Sequence, residues 1–219
     1  MLDFGLYCIT DNRKDILPIV KNWIDCGVDI IQLRNKILED QEFSNLAWKI
    51  RQLTWGTKTL FIVNDRIEVA KDVDADGVHL GQEDIKFSDF YEFHDLSGLR
   101  KYLNGQKERI GQAKIVGISS HSFEQAMYSY KLKPDYLAIG PFYFTPTHPD
   151  YQPVGDEVVK KVVDSVKNIP VVTIGGINKE NLEEVLKTGI KNVAMVREVN
   201  TTNKKVIKDL RLKFIGGGI

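Results

Sequence analysis

The sequence predicts a single (β/α)8 TIM barrel of the α/β class, and three observations lead to this prediction. Short β-branched runs alternate with helical patterns along all 219 residues, as in the βαβ units of a parallel sheet. Eight such runs can be counted, which is the number of strands in this barrel. The alternative is a doubly wound open sheet, but Thr10-Asp11-Asn12-Arg13 stands where its glycine-rich dinucleotide motif would follow the first strand.

The expected strands are short and apolar. They are Gly5–Thr10, Asp29–Leu33, Thr59–Val63, Gly77–Leu80, Lys114–Ser119, Tyr136–Gly140, Val171–Ile174 and Asn192–Val196. The segments between them carry apolar residues at three- and four-residue spacing, which predicts helices. These are Ile16–Cys26, Gln41–Thr54, Arg66–Asp72, Phe123–Tyr130, Asp156–Asn168, Lys179–Thr188 and Lys204–Phe214. Asn178 is expected to cap the helix that starts at Lys179, and Gly27 and Gly189 to end helices in a left-handed conformation.

One interval departs from this rhythm. Ile85–Gln112 is about twice as long as a single crossover helix needs, and no Pro/Gly/Ser-rich linker marks a second domain. We therefore expect one domain over residues 1–219, with the fourth helix and an insertion in the region 85–112.

Composition excludes several functions. Thirty Lys and Arg balance thirty Asp and Glu, so neither a broadly basic nucleic-acid surface nor a polybasic membrane face is expected. The apolar runs are far shorter than the roughly 20 residues that cross a bilayer. The N-terminal residues lack a secretory pattern, and Cys8 and Cys26 have no metal-ligand spacing. We expect a cytoplasmic protein with reduced core cysteines; self-association into a homo-oligomer is compatible with this composition.

Cations follow the second strand, in Gln32-Leu33-Arg34-Asn35-Lys36. In (β/α)8 barrels the active site lies at the carboxyl ends of the strands. The planar fork of Arg34 and the point charge of Lys36 suit a phosphate or pyrophosphate. The alternative is that both side chains are exposed to solvent on a surface loop and bind no ligand.

Carboxylates follow the next two strands, in Asn64-Asp65 and in Gln82-Glu83-Asp84. A Mg²⁺ ion that bridges a pyrophosphate takes one or two protein carboxylates and fills its other positions with phosphate oxygens and water. Asp65 and Asp84 are therefore the expected pair of metal ligands. Alternatively, each could cap the helix that follows it.

Polar residues also follow the other strands, and the ends of the seventh and eighth strands predict a second anion subsite. Ser119 could hydrogen-bond a leaving phosphate or cap a helix, although Ser120 and Ser122 are better placed to cap. The backbone N–H groups of the glycines after the seventh strand can approach phosphate oxygens closely. In barrels of this kind, the loops after the seventh and eighth strands often form a phosphate-binding site. His79 lies inside a strand and is interpreted as structural. The candidate residues after strands five to eight are Ser119, Thr145, Thr147, His148, Gly176, Val196 and Arg197. Two facing anion subsites suit the joining of two phosphorylated small molecules.

Taken together, these strand ends resemble the thiamine phosphate synthase family, also called thiamine-phosphate pyrophosphorylase. The matching stretches run in order along nearly the whole chain: Leu6–Asp11, Gly27–Lys36, Val63–Arg66, Ala75–Asp84, Val116–Ser119, Pro134–Pro141 and Pro170–Ile177.

The resemblance implies a transferase of thiamine biosynthesis that joins 4-amino-2-methyl-5-hydroxymethylpyrimidine pyrophosphate to thiazole phosphate and releases pyrophosphate, with Mg²⁺. It implies that Gln32, Arg34, Lys36 and Asn64 hold the pyrimidine pyrophosphate and that Asp65 and Asp84 hold the metal. It further implies that Ser119 contacts pyrophosphate and that Thr145, Thr147 and Gly176 surround the thiazole phosphate.

Two positions depart from the family pattern. His148 stands where the family usually has Lys, and Arg197 where it usually has Ser. An imidazole at His148 would also suit a thiazole tautomerase, a related isomerase that needs neither pyrophosphate nor metal. A non-catalytic phosphate-binding regulator is the third reading. Lys36, Asp65 and Asp84 are all present and favour the synthase.

Overall fold

The structure, a computed structural model, describes residues 2, 4–85, 95–105, 114–147 and 149–215. Eight parallel strands form a closed barrel in chain order, so the predicted fold class is confirmed. The strands are β1 (Leu6–Ile9), β2 (Ile30–Leu33), β3 (Leu60–Asn64), β4 (Gly77–Leu80), β5 (Ile115–Ser120), β6 (Tyr136–Ile139), β7 (Val171–Ile174) and β8 (Asn192–Met195).

Eight helices alternate with these strands in the described ranges. They are α1 (Leu17–Asp25), α2 (Asp40–Thr54), α3 (Ile67–Asp72), α4 (Leu96–Asn104), α5 (Phe123–Lys131), α6 (Gly155–Ser165), α7 (Leu182–Leu186) and α8 (Lys204–Ile215). Gly27 and Gly189 have φ angles of 72° and 86°, which confirms their left-handed conformation after α1 and α7.

The cap predicted at Asn178 is wrong. Helix α7 starts three residues later than the predicted first residue, Lys179, and the residue at its N-cap position is Asn181. The side chain of Asn178 instead accepts the backbone N–H groups of Glu180 and Asn181, at 2.8 and 3.1 Å. These bonds stabilise a turn that precedes the helix.

The strands are apolar on both faces because each face is buried. Leu6, Cys8 and Val78 point outward and belong to the large cluster that packs against the helices. Tyr7 and Tyr136 belong to a second cluster inside the barrel. Strands buried in this way lack the alternation of a half-exposed sheet, which explains their continuous apolar runs in the sequence.

The amino-terminal end of the barrel is closed by carboxylates that bond the backbone. Asp29 accepts two N–H groups at 3.2 Å near the start of β1. Asp76 and Asp135 each accept one strand N–H at 2.8 Å. These bonds join neighbouring strands and leave the opposite, carboxyl end of the barrel open for a site.

Helix α4 lies within the predicted insertion region 85–112, and Asp95 caps it by accepting the N–H of Gly98 at 2.7 Å. The rest of that insertion lies mostly in 86–94 and 106–113, outside the described residues. The division of the chain into a single domain stays a prediction. Cys8 and Cys26 are free and buried. Among the helices described, none combines the length and apolar character needed to span a membrane.

Candidate active site at the barrel mouth

A cavity of about 530 Å³ opens at the carboxyl ends of the strands. Twelve of the thirteen predicted site residues line it, and the remaining one, His148, lies outside the described residues. The twelve are Gln32, Arg34, Lys36, Asn64, Asp65, Asp84, Ser119, Thr145, Thr147, Gly176, Val196 and Arg197. The barrel therefore brings the two predicted subsites to one cavity.

Asp65 forms an ion pair with Lys36, which joins the loops after β2 and β3. Its backbone is left-handed, with φ at 60°, and its N–H donates to the carbonyl of His79 at 2.9 Å. The N-cap of α3 is Arg66, without a side-chain cap bond, so the capping alternative for Asp65 is wrong. Its carboxylate is instead presented to the cavity.

Asp84 lies beside Asp65, and its Oδ2 accepts the N–H of Gly81 at 2.6 Å. Burial, and then the negative charge of Asp65, raise the pKa of Asp84 to about 6. A carboxyl pair of this kind favours a cation that would relieve its repulsion. In the described ranges no cluster of three or more His, Cys, Asp or Glu side chains could hold a metal. A two-carboxylate set fits Mg²⁺ when phosphate oxygens and water complete its coordination.

The loop after β2 is fixed by hydrogen bonds that orient its cations. The Thr10 hydroxyl accepts the N–H of Arg34 and donates to its carbonyl, both at 2.9 Å. The N–H of Lys36 donates to the Asn12 side chain at 3.1 Å. Burial lowers the pKa of the Arg34 guanidinium, while the charge of Asp65 opposes this effect. The guanidinium remains cationic at neutral pH because its ordinary pKa is so high.

Arg66 supports the same loop from outside, and the sequence reasoning assigned it no role. Its guanidinium donates to the carbonyl of Leu38 at 2.8 Å and lies 4.1 Å from the centre of the Phe43 ring. It also forms an ion pair with Asp40 at 3.1 Å. Arg66 thereby stabilises the chain directly after the loop that contains Arg34 and Lys36.

Ser119 lines the cavity and does not cap the helix that follows it. Ser122 caps α5 by accepting the N–H of Gln125 at 3.2 Å. Within the described residues, the only hydrogen bond of the Ser119 hydroxyl is a long one, 3.4 Å to the carbonyl of Leu80. Because this bond is weak, the hydroxyl can turn toward a ligand in the cavity.

The glycine loop after β7 forms the opposite wall. Gly175 and Gly176 have φ angles of 107° and 66°. A Cβ at Gly176 would lie 2.7 Å from the carbonyl oxygen of Phe144, so only glycine fits this approach. The loop after β6 thus packs directly on it and brings buried Thr145, together with Thr147, to the same wall.

His121 and Tyr151 also line the cavity, and the sequence reasoning did not select them. Their rings stack, with centroids 4.0 Å apart and an interplanar angle of 14°. His121 Nδ1 lies 2.7 Å from the carbonyl oxygen of Gly140; since a carbonyl only accepts, Nδ1 carries the hydrogen. Because His121 directly follows β5, its position in the sequence could have predicted that it lines the cavity. No local sequence pattern predicts this for Tyr151.

The floor of the cavity is a buried polar layer. Gln32 Nε2 lies 2.7 Å from the hydroxyl of Tyr7, and that hydroxyl lies 2.8 Å from the hydroxyl of Tyr136. The hydroxyl of Tyr136 lies 2.9 Å from His79 Nδ1. His79 is only 9% exposed, in keeping with a structural residue, but its ring also lines the cavity.

The fold and this cavity define a (β/α)8-barrel enzyme with an active site at the carboxyl ends of its strands. A model of the thiamine monophosphate synthase family matches residues 6–98 and 102–199, and the chain belongs to this family.

Named relatives agree with the family. The thiamine-phosphate synthase of Clostridium acetobutylicum is 35% identical over 212 residues, 95% of this chain and 92% of its own length. That of Methanobrevibacter smithii is 34% identical over 216 residues, 97% of this chain and 95% of its own. The structure of thiamine phosphate pyrophosphorylase from Pyrococcus furiosus superposes with a TM-score of 0.72 at 35% identity, covering 94% of this chain and 96% of that one. The family, the transferase class and the synthase function predicted from the sequence are confirmed.

Proposed function

We propose that this chain joins the pyrimidine pyrophosphate to the thiazole phosphate in this cavity, in the cytoplasm, with Mg²⁺ held by Asp65 and Asp84. The observation that carries the proposal is the grouping of Arg34, Lys36 and the two carboxylates on one side of a cavity whose other side is the glycine loop.

Arg34 and Lys36 bind the pyrophosphate of the pyrimidine substrate. Lys36 is paired with Asp65, so the ammonium is held at the cavity wall. Asp65 and Asp84 would hold a Mg²⁺ ion, whose positive charge would stabilise the departing pyrophosphate. Asn64 and Ser119 provide further polar groups at the ends of β3 and β5.

The reaction needs no protein nucleophile. The bond between the pyrimidinylmethyl carbon and the pyrophosphate oxygen breaks, and its electron pair leaves with pyrophosphate. The electron-rich aminopyrimidine delocalises the positive charge that remains on the carbon. The thiazole nitrogen then donates its lone pair to that carbon and forms the new C–N bond. Fixed cations at Arg34 and Lys36 favour the separation of charge, because they are oriented before the reaction starts.

The opposite wall holds the thiazole phosphate within reach of the reacting carbon. The amides of the Gly176 loop can approach phosphate oxygens closely because no side chain intervenes. Thr145 and Thr147 supply hydroxyl donors, and Arg197, at the loop after β8, supplies a cation. Val196 and Gln32 complete the walls, and we assign His148 to the pyrophosphate side. Because both reactants are bound in one cavity, their reaction becomes effectively unimolecular, which lowers its entropic cost.

The test is to incubate the protein with both phosphorylated precursors and Mg²⁺ and to measure thiamine phosphate and pyrophosphate. Equal amounts of the two products are expected. Asp84→Asn should lower the turnover at least tenfold, whereas Asp164→Asn, a matched change on the exposed face of α6, should not. Isomerisation of the thiazole without pyrophosphate release would support the tautomerase instead, and binding of either precursor without turnover would support a regulator.

A further inference from the structure

Four buried side chains form one continuous hydrogen-bonded layer across the inside of the barrel. Tyr7, Gln32, His79 and Tyr136 come from β1, β2, β4 and β6, and each is at most 9% exposed. Gly117 makes room for this layer, because a Cβ there would lie 1.9 Å from the ring of Tyr136. The layer forms the floor of the cavity described above.

Counting hydrogens gives the layer a direction. Gln32 Nε2 donates to the hydroxyl oxygen of Tyr7 at 2.7 Å, so the single hydrogen of Tyr7 is left for Tyr136 at 2.8 Å. The single hydrogen of Tyr136 is then left for His79 Nδ1 at 2.9 Å. Nδ1 therefore accepts. An imidazole whose Nδ1 accepts carries its hydrogen on Nε2.

The two ends of the layer face the cavity with opposite hydrogen-bonding character. Among the described residues, the amide oxygen of Gln32 and the Nε2 of His79 have no hydrogen-bonding partner, and both residues line the cavity. Rotating the side-chain amide of Gln32 by about 180° would exchange its oxygen and nitrogen, and the oxygen would then accept from the Tyr7 hydroxyl. The hydrogens of Tyr7 and Tyr136 would then point the other way, and the hydrogen of His79 would move to Nδ1.

We infer that Tyr7 and Tyr136 are positioning residues that tie the amide orientation of Gln32 to the tautomer of His79. In the direction given above, the Gln32 oxygen accepts and the His79 Nε2 hydrogen donates toward the cavity. In the reversed layer the Gln32 amide nitrogen donates and Nε2 accepts. An aminopyrimidine, which carries an amino donor and ring-nitrogen acceptors, matches this pair. The identity of this ligand rests on the proposed function, whereas the coupling of the two ends does not.

The coupling is tested by ¹⁵N NMR of the His79 ring in the ligand-free protein. The wild type should show hydrogen on Nε2 and a bare Nδ1. In Gln32→Glu the ionised carboxylate can only accept, so the layer should reverse and the hydrogen should move to Nδ1. Adding Tyr7→Phe to Gln32→Glu breaks the connection and should restore the hydrogen to Nε2. Adding Tyr128→Phe, a matched loss of an exposed hydroxyl, should leave the reversal in place.

A wild-type His79 with hydrogen on Nδ1 would overturn the direction given above. The coupling itself would be overturned by a Gln32→Glu ring that keeps the hydrogen on Nε2 while ¹³C NMR shows the new carboxyl ionised. A reversal that survives Tyr7→Phe would also overturn it. The wild-type spectrum decides the direction even if Gln32→Glu does not fold. None of these measurements uses the enzyme reaction, so they succeed or fail independently of the proposed function.

A kinetic measurement tests the role in ligand recognition. Tyr7→Phe should raise the KM for the pyrimidine pyrophosphate about tenfold, equivalent to about 1.4 kcal/mol, and change kcat less. Tyr128→Phe should leave both constants unchanged. A wild-type KM in Tyr7→Phe would overturn the recognition role.

Discussion

The raised pKa of Asp84 predicts that the metal-free protein loses stability as the pH rises. The folded-state pKa is about 6, against an ordinary value of 3.8. Folding therefore favours the protonated carboxyl. The stability that this group contributes is complete below about pH 4 and is lost as the pH rises through about 6.

The size of this effect follows from the shift. Two pKa units correspond to at most about 3 kcal/mol of unfolding free energy. Asp84 is only half-buried, and solvent screening should reduce the effect to about 1–2 kcal/mol. A change of 1 kcal/mol shifts the Tm of a domain of this size by about 2–4 °C.

The assay is urea unfolding in EDTA from pH 4 to pH 7.5, for the wild type and for Asp84→Asn. The variant cannot ionise at this position, so the wild-type stability minus that of the variant should fall by about 1–2 kcal/mol over this range. Asp65→Asn removes the negative charge that, after burial, contributes most to the raised pKa of Asp84. In that background the stability difference should therefore fall by a smaller amount. Adding Mg²⁺ with pyrophosphate at pH 7.5 should stabilise the wild type much more than Asp84→Asn.

Two results would refute this reasoning. A difference between wild type and Asp84→Asn that does not change with pH would show that the pKa of Asp84 is ordinary. Equal stabilisation of both proteins by Mg²⁺ and pyrophosphate would show that Asp84 is not a ligand of the metal.

Four further predictions concern the rest of the cavity. Lys36→Met should lower kcat by about 10²–10³, since it removes a fixed cation from the leaving pyrophosphate, and an unchanged kcat in a steady-state assay would place that group elsewhere. Gly176→Ala should raise the KM for the thiazole phosphate with a smaller effect on the pyrimidine substrate, because its Cβ would lie 2.7 Å from a carbonyl oxygen at a φ of 66°. Tyr151→Ala should lower the unfolding free energy by about 0.5–1.5 kcal/mol through loss of the stack on His121, as measured by urea unfolding. If His148 contacts pyrophosphate, synthase activity should fall as the imidazolium deprotonates, and a rate profile from pH 6 to pH 9 should lose this alkaline fall in His148→Lys.

Sequence alone determined the fold and predicted twelve of the residues that line the cavity. A strand that is buried on both faces is mostly apolar, so the strands were recognisable without any knowledge of their partners. The barrel also places every strand end at one mouth. Polar residues such as Arg34, Asp65 and Asp84, which no core requires at those positions, therefore identified the cavity.

Local sequence was less reliable at the start of α7. An Asn at 178 and an Asn at 181 both suit a cap, and the pattern could not rank them. In the structure the side chain of Asn178 bonds the backbone of the turn, and the helix begins only after Asn181. Side chains of this type compete with the helix for the same N–H groups, and the surrounding packing decides the outcome.

Only the tertiary structure decided which side chains meet. The hydroxyls of Tyr7 and Tyr136 are 129 residues apart in the chain and 2.8 Å apart in the barrel. Lys36 reaches Asp65 only because β2 and β3 are neighbours, and the pKa of Asp84 is raised by burial and by a carboxylate on another strand end. Hydrogen-bond direction, ion pairing and pKa depend on distances between atoms from different strands. Closure of the barrel sets those distances, and no local pattern in the chain encodes them.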